Sequence, residues 1–525
     1  MRRRAFLKTS LAAGLAAPAV AQPGKTATLR LIPQTNLSVL DPIWSTATVS
    51  STHGYHVFDT LYSADSQLRP QPQMAAGHTV SDDGRVWRFR LRDGLTFHDN
   101  APVRTTDVSL SIQRWCKRDP LGQLLDAVVE KWATPDDKTL ELHLSRPFPM
   151  VLDALAKPEA ALPFIMPERL ARTDPMKAIT EAVGSGPYRF LPDEYISGSH
   201  VAYSRFDGYV PRSEPPDWAS GGKIAYFPRV EWNVIPDPAT AAAALRKGEA
   251  DWWERPLNDL IPGLERDPNI RTMIHDPSGR LSLMRMNHLQ PPFDDVRIRR
   301  AVMTAVHQED YMRATIGDDT SLWKTCHSLF VCGTRFTTEE AGKRLITGDL
   351  AAAKRMLDAA GYAGQRVVII SPTDFPVIGP LGSVTAEALR KIGMNVDLQE
   401  MDWGSVLQRR TNRGPVEQGG WSIFHTTGPA STYSNPVVST LTRGQGAKGW
   451  FGWWASPRAE EMVQDWLATT DEREQKRIAT AINDLALADV ATVPLGQFFL
   501  KTAYRASITG VLQGIGPYPW NVRPA

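Results

Sequence analysis

The sequence predicts an α/β fold spread over about three domains, and three observations lead there. The first is length: with residues 1–21 set aside as a leader, 504 of the 525 residues remain, enough for about three domains at ~150 residues each. The second is a pair of strand–helix–strand patterns, over 230–253 and 367–398, of the kind that builds parallel strands joined by right-handed crossovers. The third is the strict alternation of Trp87, Phe89 and Leu91 with Arg88, Arg90 and Arg92, the period of a half-buried strand.

The leader comes first in chain order. Arg2, Arg3 and Arg4 are followed by the largely apolar run Thr9–Val20 and by Ala19-Val20-Ala21, a small-x-small cleavage shape. The apolar run is far shorter than the roughly 20 residues of a membrane-spanning helix. Arg3-Arg4-Ala5-Phe6-Leu7-Lys8 resembles the twin-arginine signal R-R-x-F-L-K, with Arg2 in place of the usual Ser or Thr. No cysteine follows, so a soluble periplasmic protein is expected. The formal charge of +2 depends on this leader, which holds four basic residues and no acid. Without it 55 basic side chains face 57 acidic ones, a net of −2, which gives nucleic-acid binding no electrostatic support.

After the strand at 86–92, Asp93-Gly94 turns the chain and Asp99-Asn100-Ala101-Pro102 breaks it again. Thr105 or Thr106 then caps a helix whose Val108, Ile112 and Trp115 share a face. Val230–Val234 reads as extended, Asp237-Pro238 as a helix start, Ala239–Lys247 as helix and Gly248 as its stop. Arg280–Asn287 alternates like a single strand, and Asp349 caps a helix that ends at Gly361. Val367–Ile370 is a continuous apolar run, as in a strand buried on both faces, and a helix over 381–392 separates it from the next strand, which carries Val396 and Leu398.

The segment VWRFRLRDGLTFHDNAPVRTTDVSLSIQRW at 86–115 resembles the signature of family 5 extracellular solute-binding proteins, which collect peptides, nickel chelates and other solutes for ABC importers. Six more segments continue the likeness in order: VGSGPYRF (183–190), KGEADWW (247–253), PPFDDVRIRRAVMTAV (291–306), AKRMLDAAGY (353–362), IGMNVDLQEMDW (392–403) and ATVPLGQFF (491–499). The resemblance implies a type II-like periplasmic binding protein, with two lobes on a hinge and an inserted third domain. It implies a first lobe from 22–47, 169–275 and 490–525, an insert over 48–168 and a second lobe over 276–489. The hinge crossings are expected near 276–286 and 490–500. It also implies a monomer that closes on a small molecule and hands it to permease subunits powered by separate ATPases. A metallophore or nickel-chelate binder and a chemosensory receptor are the alternatives on the same fold.

Catalysis finds no support: H-E-x-x-H, G-x-S-x-G, the Walker A loop and G-x-G-x-x-G are all absent. S-x-x-K occurs at Ser321–Lys324 and Ser220–Lys223 without its companion motifs, so no catalytic residue is assigned. His53 and His56 are spaced for one helix face, but two histidines without a third ligand leave metal and cofactor unassigned, and one imidazole at a cap and one on the surface is the plainer reading. Cys326 and Cys332 are near enough in sequence to bridge in an oxidising compartment or to remain two loop thiols, while Cys116 reads as a buried thiol.

Peptide-binding relatives use a segment that ends near an N-P or E-P pair, with an Asp shortly before the Pro pairing the peptide's amino group. The matching segment here runs from Trp421 to Asn435-Pro436, and Thr432 stands where the acid is expected. No Asp or Glu occurs from Trp421 through Leu441, which argues against a free amino group held in the family's way. His425 and Thr426 stand where some relatives carry an arginine for the peptide carboxylate. The candidate ligand-binding residues are therefore Trp44, Trp403, Trp421, His425, Thr432, Tyr433 and Asn435. Trp450, Trp453 and Trp454 are divided between pocket and core, and Arg413 reads as a surface arginine or an anion partner.

Overall fold

The computed structural model describes residues 28–525 apart from Asp374. The predicted leader lies outside the described residues. Two large sheets organise the chain, and the regions built on them are termed the first and second lobes.

The first sheet has seven strands, with Thr28–Ile32 near its centre. That strand runs parallel to Arg229–Asn233 on one side and to Trp252–Trp253 on the other. The helix Pro238–Lys247 makes the connection that the sequence predicts. Asp237 accepts from the Thr240 amide at 2.7 Å, Pro238 occupies the first turn, and Gly248 closes the helix at φ 76°. The second sheet has six strands, ordered Trp323–Lys324, Val493–Phe498, Arg280–Met286, Ile423–Pro429, Arg366–Pro372 and Asn395–Met401. Arg366–Pro372 is parallel to both of its neighbours, and the helix Gly379–Lys391 links it to Asn395–Met401. Val367, Val368, Ile369 and Ile370 are completely buried, as an apolar run covered on both faces requires. Arg280–Met286 is buried on both faces too, and strands pair along both of its edges.

The 86–115 segment folds as predicted, one residue out at the cap. Val86–Leu91 pairs with Ala75–Val80 and Thr139–Leu144 in a four-stranded antiparallel sheet that includes Val129–Asp136. Helix Thr105–Cys116 begins after Arg104, whose amide donates to the Asp107 carboxylate at 2.8 Å. Val108, Ile112, Trp115 and Cys116 are fully buried along it.

Two expected boundaries shift. Helix Thr48–Val57, assigned to the insert, packs on the first sheet: His53 Nδ1 lies 2.9 Å from the Tyr203 hydroxyl, and the His56 ring is 4.7 Å from that of Tyr203. Both imidazoles are buried, not at a cap or on the surface, and burial pushes each down to about 3. At the other end, Val493–Phe498 pairs with Arg280–Met286, so the second sheet extends past residue 489. The chain passes between sheets at 275–279 and returns at 499–500. Gly279 permits the first passage: its φ is 72°, and a Cβ there would lie 2.7 Å from the Phe499 ring. Cys326 and Cys332 form a disulfide, and Cys116 is a buried free thiol. Among the described residues no helix is long and apolar enough to cross a membrane.

Candidate functional site

A cleft of about 520 Å³ opens where the insert faces the 431–450 segment of the second lobe. Local sequence shapes both walls. On the insert side Asp119 caps helix Pro120–Asp126, accepting from Leu121 N at 2.9 Å and Gly122 N at 3.2 Å, with Pro120 in the first turn. Helix Val151–Leu155 follows, and the chain then turns through Ala160 at φ 57°. On the other side strand Ile423–Pro429 ends in a 3₁₀ turn over Ala430–Tyr433. The Asn435 side chain accepts from Val437 N at 3.0 Å and Val438 N at 3.2 Å, which holds the next turn of this wall.

The lining is apolar at Leu121, Leu124, Met150, Val437, Val438 and Trp450. Its charged groups fall into two sets. Lys157 bonds to Asp119, and Arg443 forms a forked pair with Glu460 at 2.7–3.2 Å. Asp153 and Glu159 have no such partner among the described residues. Burial pushes the Asp153 carboxyl above its ordinary range. Glu159 accepts from Ser431 Oγ at 3.0 Å, across the cleft, and from Thr48 Oγ1 at 3.3 Å.

Glu159 also lines a second, enclosed chamber of about 20 Å³ beside the two passages between lobes, together with Arg255, His275, Asp276 and Arg280. That volume holds about one water molecule. Burial pushes Asp276 up to about 6, against the Ser278 amide that donates to it at 2.9 Å. Burial, aided by Arg255, takes His275 down to about 3.

A cleft between the insert and the second lobe, sharing Glu159 with the chamber beside the two strand passages, agrees with the comparisons. Residues 69–445 match the family described as bacterial extracellular solute-binding proteins, family 5 Middle. A probable peptide ABC transporter periplasmic-binding protein, y4tO of Sinorhizobium fredii, is 38% identical over all of this chain and 99% of its own. The chain belongs to family 5. The glutathione-binding protein GsiB of Escherichia coli K12 is 24% identical over 90% of each chain. Among solved structures, the substrate-binding protein CtaP of Listeria monocytogenes superposes with a TM-score of 0.81 at 19% identity, over 95% of this chain and 99% of its own. A dipeptide-binding protein from Pseudoalteromonas in complex with Met-Leu gives 0.78 at 18% identity, over 95% and 100%.

As a family 5 solute-binding protein, the chain is the extracytoplasmic substrate-binding component of an ABC importer, and it presents a captured solute to membrane permease subunits. The 86–115 signature is scaffold: none of its residues lines the cleft. Of the predicted ligand residues, Thr432 and Asn435 line the cleft and the other five do not. Trp421 is fully buried, donates from Nε1 to Arg410 O at 3.0 Å and packs edge-on against Phe424 at 5.1 Å. His425 is fully buried against Thr385 Oγ1 at 2.8 Å, and burial pushes it down to about 3. Tyr433 turns into the core over Gly428, where a Cβ would lie 2.3 Å from its hydroxyl. Trp44 lies beneath the Arg118 guanidinium at 5.4 Å, and Trp403 packs against Phe375 at 5.4 Å. Trp421, His425 and Tyr433 are buried around the second sheet, while Trp44 and Trp403 are partly buried against Arg118 and Phe375.

Of the divided tryptophans, Trp450 lines the cleft while Trp453 and Trp454 are buried. Arg413 donates to Ala447 O at 2.8 Å and stacks over Trp453 at 5.2 Å, away from the cleft. His53 and His56 join no group of three ligand-forming side chains among the described residues. Sequence reasoning missed Asp119, Asp153, Lys157 and Glu159. Asp119-Pro120 was readable as a helix start, but nothing local to Asp153 or Glu159 distinguishes them from surface acids.

Proposed function

We propose that the protein imports a peptide-like solute, which it binds in the 520 Å³ cleft with Thr432, Asn435 and Trp450 among its contacts. The cleft itself carries this reading. It lies between the insert and the second lobe, falls within the ~300–1,000 Å³ range of small-molecule sites, and mixes apolar walls with a few polar groups. The 38% identity to a probable peptide-binding relative across the whole chain supports a peptide-like cargo.

The proposed mechanism is hinge closure about the passages at 275–279 and 499–500. Solute touches both walls only when they approach, so its binding free energy moves the open–closed balance. A micromolar ligand supplies about 8 kcal/mol at standard state, ample for that shift. Nothing is turned over. The protein is exported as a monomer by the twin-arginine route, on the strength of Arg3-Arg4-Ala5-Phe6-Leu7-Lys8.

Mass spectrometry of the small molecule released on denaturing natively exported protein tests the cargo. Peptide masses are expected, and the same peptides should raise the thermal midpoint with concentration. Release of only non-peptide compounds would overturn the reading.

A further inference from the structure

We propose that the cleft selects solutes carrying a protonated amine, held by Glu159 and Asp153 on the insert wall, with an apolar body against the rest of the lining. The proposal rests on the reading of the cleft as the solute site and goes further by naming the charge of its ligand.

Charge balance is the argument. Lys157 is bound to Asp119 and Arg443 to Glu460, so these four groups cancel. Asp153 and Glu159 also line the cleft, and neither forms a salt bridge among the described residues; Arg335 attracts Asp153 and Arg280 attracts Glu159 only from beyond salt-bridge distance. Among the described residues Glu159 receives hydrogen bonds from the hydroxyls of Ser431 and Thr48, which solvate a carboxylate without neutralising it. The neighbouring chamber does not remove the surplus. Arg255 and Arg280 line it beside Glu159, but Asp276 lies there with them and Arg255 stands 3.7 Å from Glu254. Across both cavities and their ion-pair partners, six carboxylates face four cationic side chains.

A half-buried carboxylate without a salt bridge is costly, and burial pushes Asp153 upward even though Arg335 pulls the other way. An ammonium placed there gains charge-assisted hydrogen bonds and relieves the repulsion. A carboxylate or phosphate in the same place would add to it. Leu121, Leu124, Met150, Val437 and Val438 take the uncharged remainder of the solute. The Ser431–Glu159 contact couples selection to closure: Glu159 reaches the opposite wall at 3.0 Å, so an amine held there lies where the lobes meet.

Native mass spectrometry on the ligand-stripped mature protein tests this, using a random tripeptide mixture, the same mixture N-acetylated, and a set of apolar primary amines. Free-amino species should be retained at least tenfold over acetylated ones. Glu159→Gln should abolish that preference, Glu159→Asp should restore part of it, and Asp153→Asn should weaken it separately should Glu159→Gln prove poorly folded. Equal retention of acetylated species, or an undiminished preference in both Glu159→Gln and Asp153→Asn, would overturn the proposal. Retention of amines without any peptide would sink the peptide reading and leave this one standing. Retention of no cation at all would end it.

Discussion

The two walls of the cleft are built alike and charged differently. Both end a regular element in a capped turn: Asp119 holds one through backbone amides, and Asn435 holds the other. Yet the 421–441 stretch of the second lobe contains no carboxylate, while the insert contributes Asp119, Asp153 and Glu159. The wall that resembles the family's ligand segment therefore supplies shape, hydroxyls and the Arg443 guanidinium, and the opposite wall supplies the carboxylates that line the cleft. Absence of an acid from one segment argues only against an amino group held in the family's way, and it does not make a site neutral when another segment faces it.

The largest expected effect concerns what stands behind the neutral wall. Trp421→Ala should cost about 3–5 kcal/mol of stability, the usual range for removing a fully buried large aromatic. Chemical denaturation measures it. A variant of near wild-type stability with lost ligand affinity would instead return Trp421 to the crevice and break the comparison.

Next comes the staple of the same lobe. Cys326 and Cys332 share a core cluster with Tyr433, Leu441 and Trp454, directly behind the 431–441 turn. Replacing both by Ser should cost about 2 kcal/mol, the loop-closure value for so short a ring. The loss should equal that caused by a reducing agent acting on the wild type.

How much of this was legible in the sequence follows from the range of the forces involved. Helix caps such as Asp237-Pro238 and Asp349, the stops Gly248 and Gly361, and the buried run Val367–Ile370 are set by neighbours in the chain, and they folded as read. The site is set by distant neighbours. Glu159 meets Ser431 across 272 positions, and no local pattern announces such a pair. The tryptophans follow the same rule: Trp421 packs on Phe424 and Trp403, at the start of helix Trp403–Arg409, on Phe375, and the burial of each depends on how distant segments assemble. The strand Val493–Phe498 passed for first-lobe chain because its partner, Arg280–Met286, lies far upstream.

The passage between lobes provides a pH test of intermediate size. Asp276 has an ordinary value near 4 when unfolded (~3.9) and about 6 when folded, so the native state binds its proton more tightly. Between those values the folded protein holds more protons than the unfolded one, and this group's contribution to stability falls as pH rises from about 4 to about 6. Arg280, Arg255, His275 and Glu159 share its chamber. Asp276→Asn should therefore gain on the wild type as pH rises, by about 3 kcal/mol once well above pH 6. A difference independent of pH would show that Asp276 is not held up by its surroundings.

The smallest effect bears most directly on the two walls. Thr432 lines the cleft, is only half-buried and makes no charged contact, so Thr432→Ala should change stability by at most about 0.5 kcal/mol. Its removal leaves Glu159 and its bond to Ser431 in place, and affinity for a native cargo should fall by less than about threefold, roughly 0.7 kcal/mol on the scale where tenfold is 1.4. Placing an acid there instead, as Thr432→Asp, adds a third carboxylate beside two that already lack salt bridges. That variant should hold its cargo no more tightly than about threefold better, because the amine it would attract is already paired across the cleft. Titration calorimetry with the cargo released from native protein reads both numbers. A tenfold loss in Thr432→Ala, or a tenfold gain in Thr432→Asp, would move the selecting charge to the second lobe and reverse the assignment of the walls.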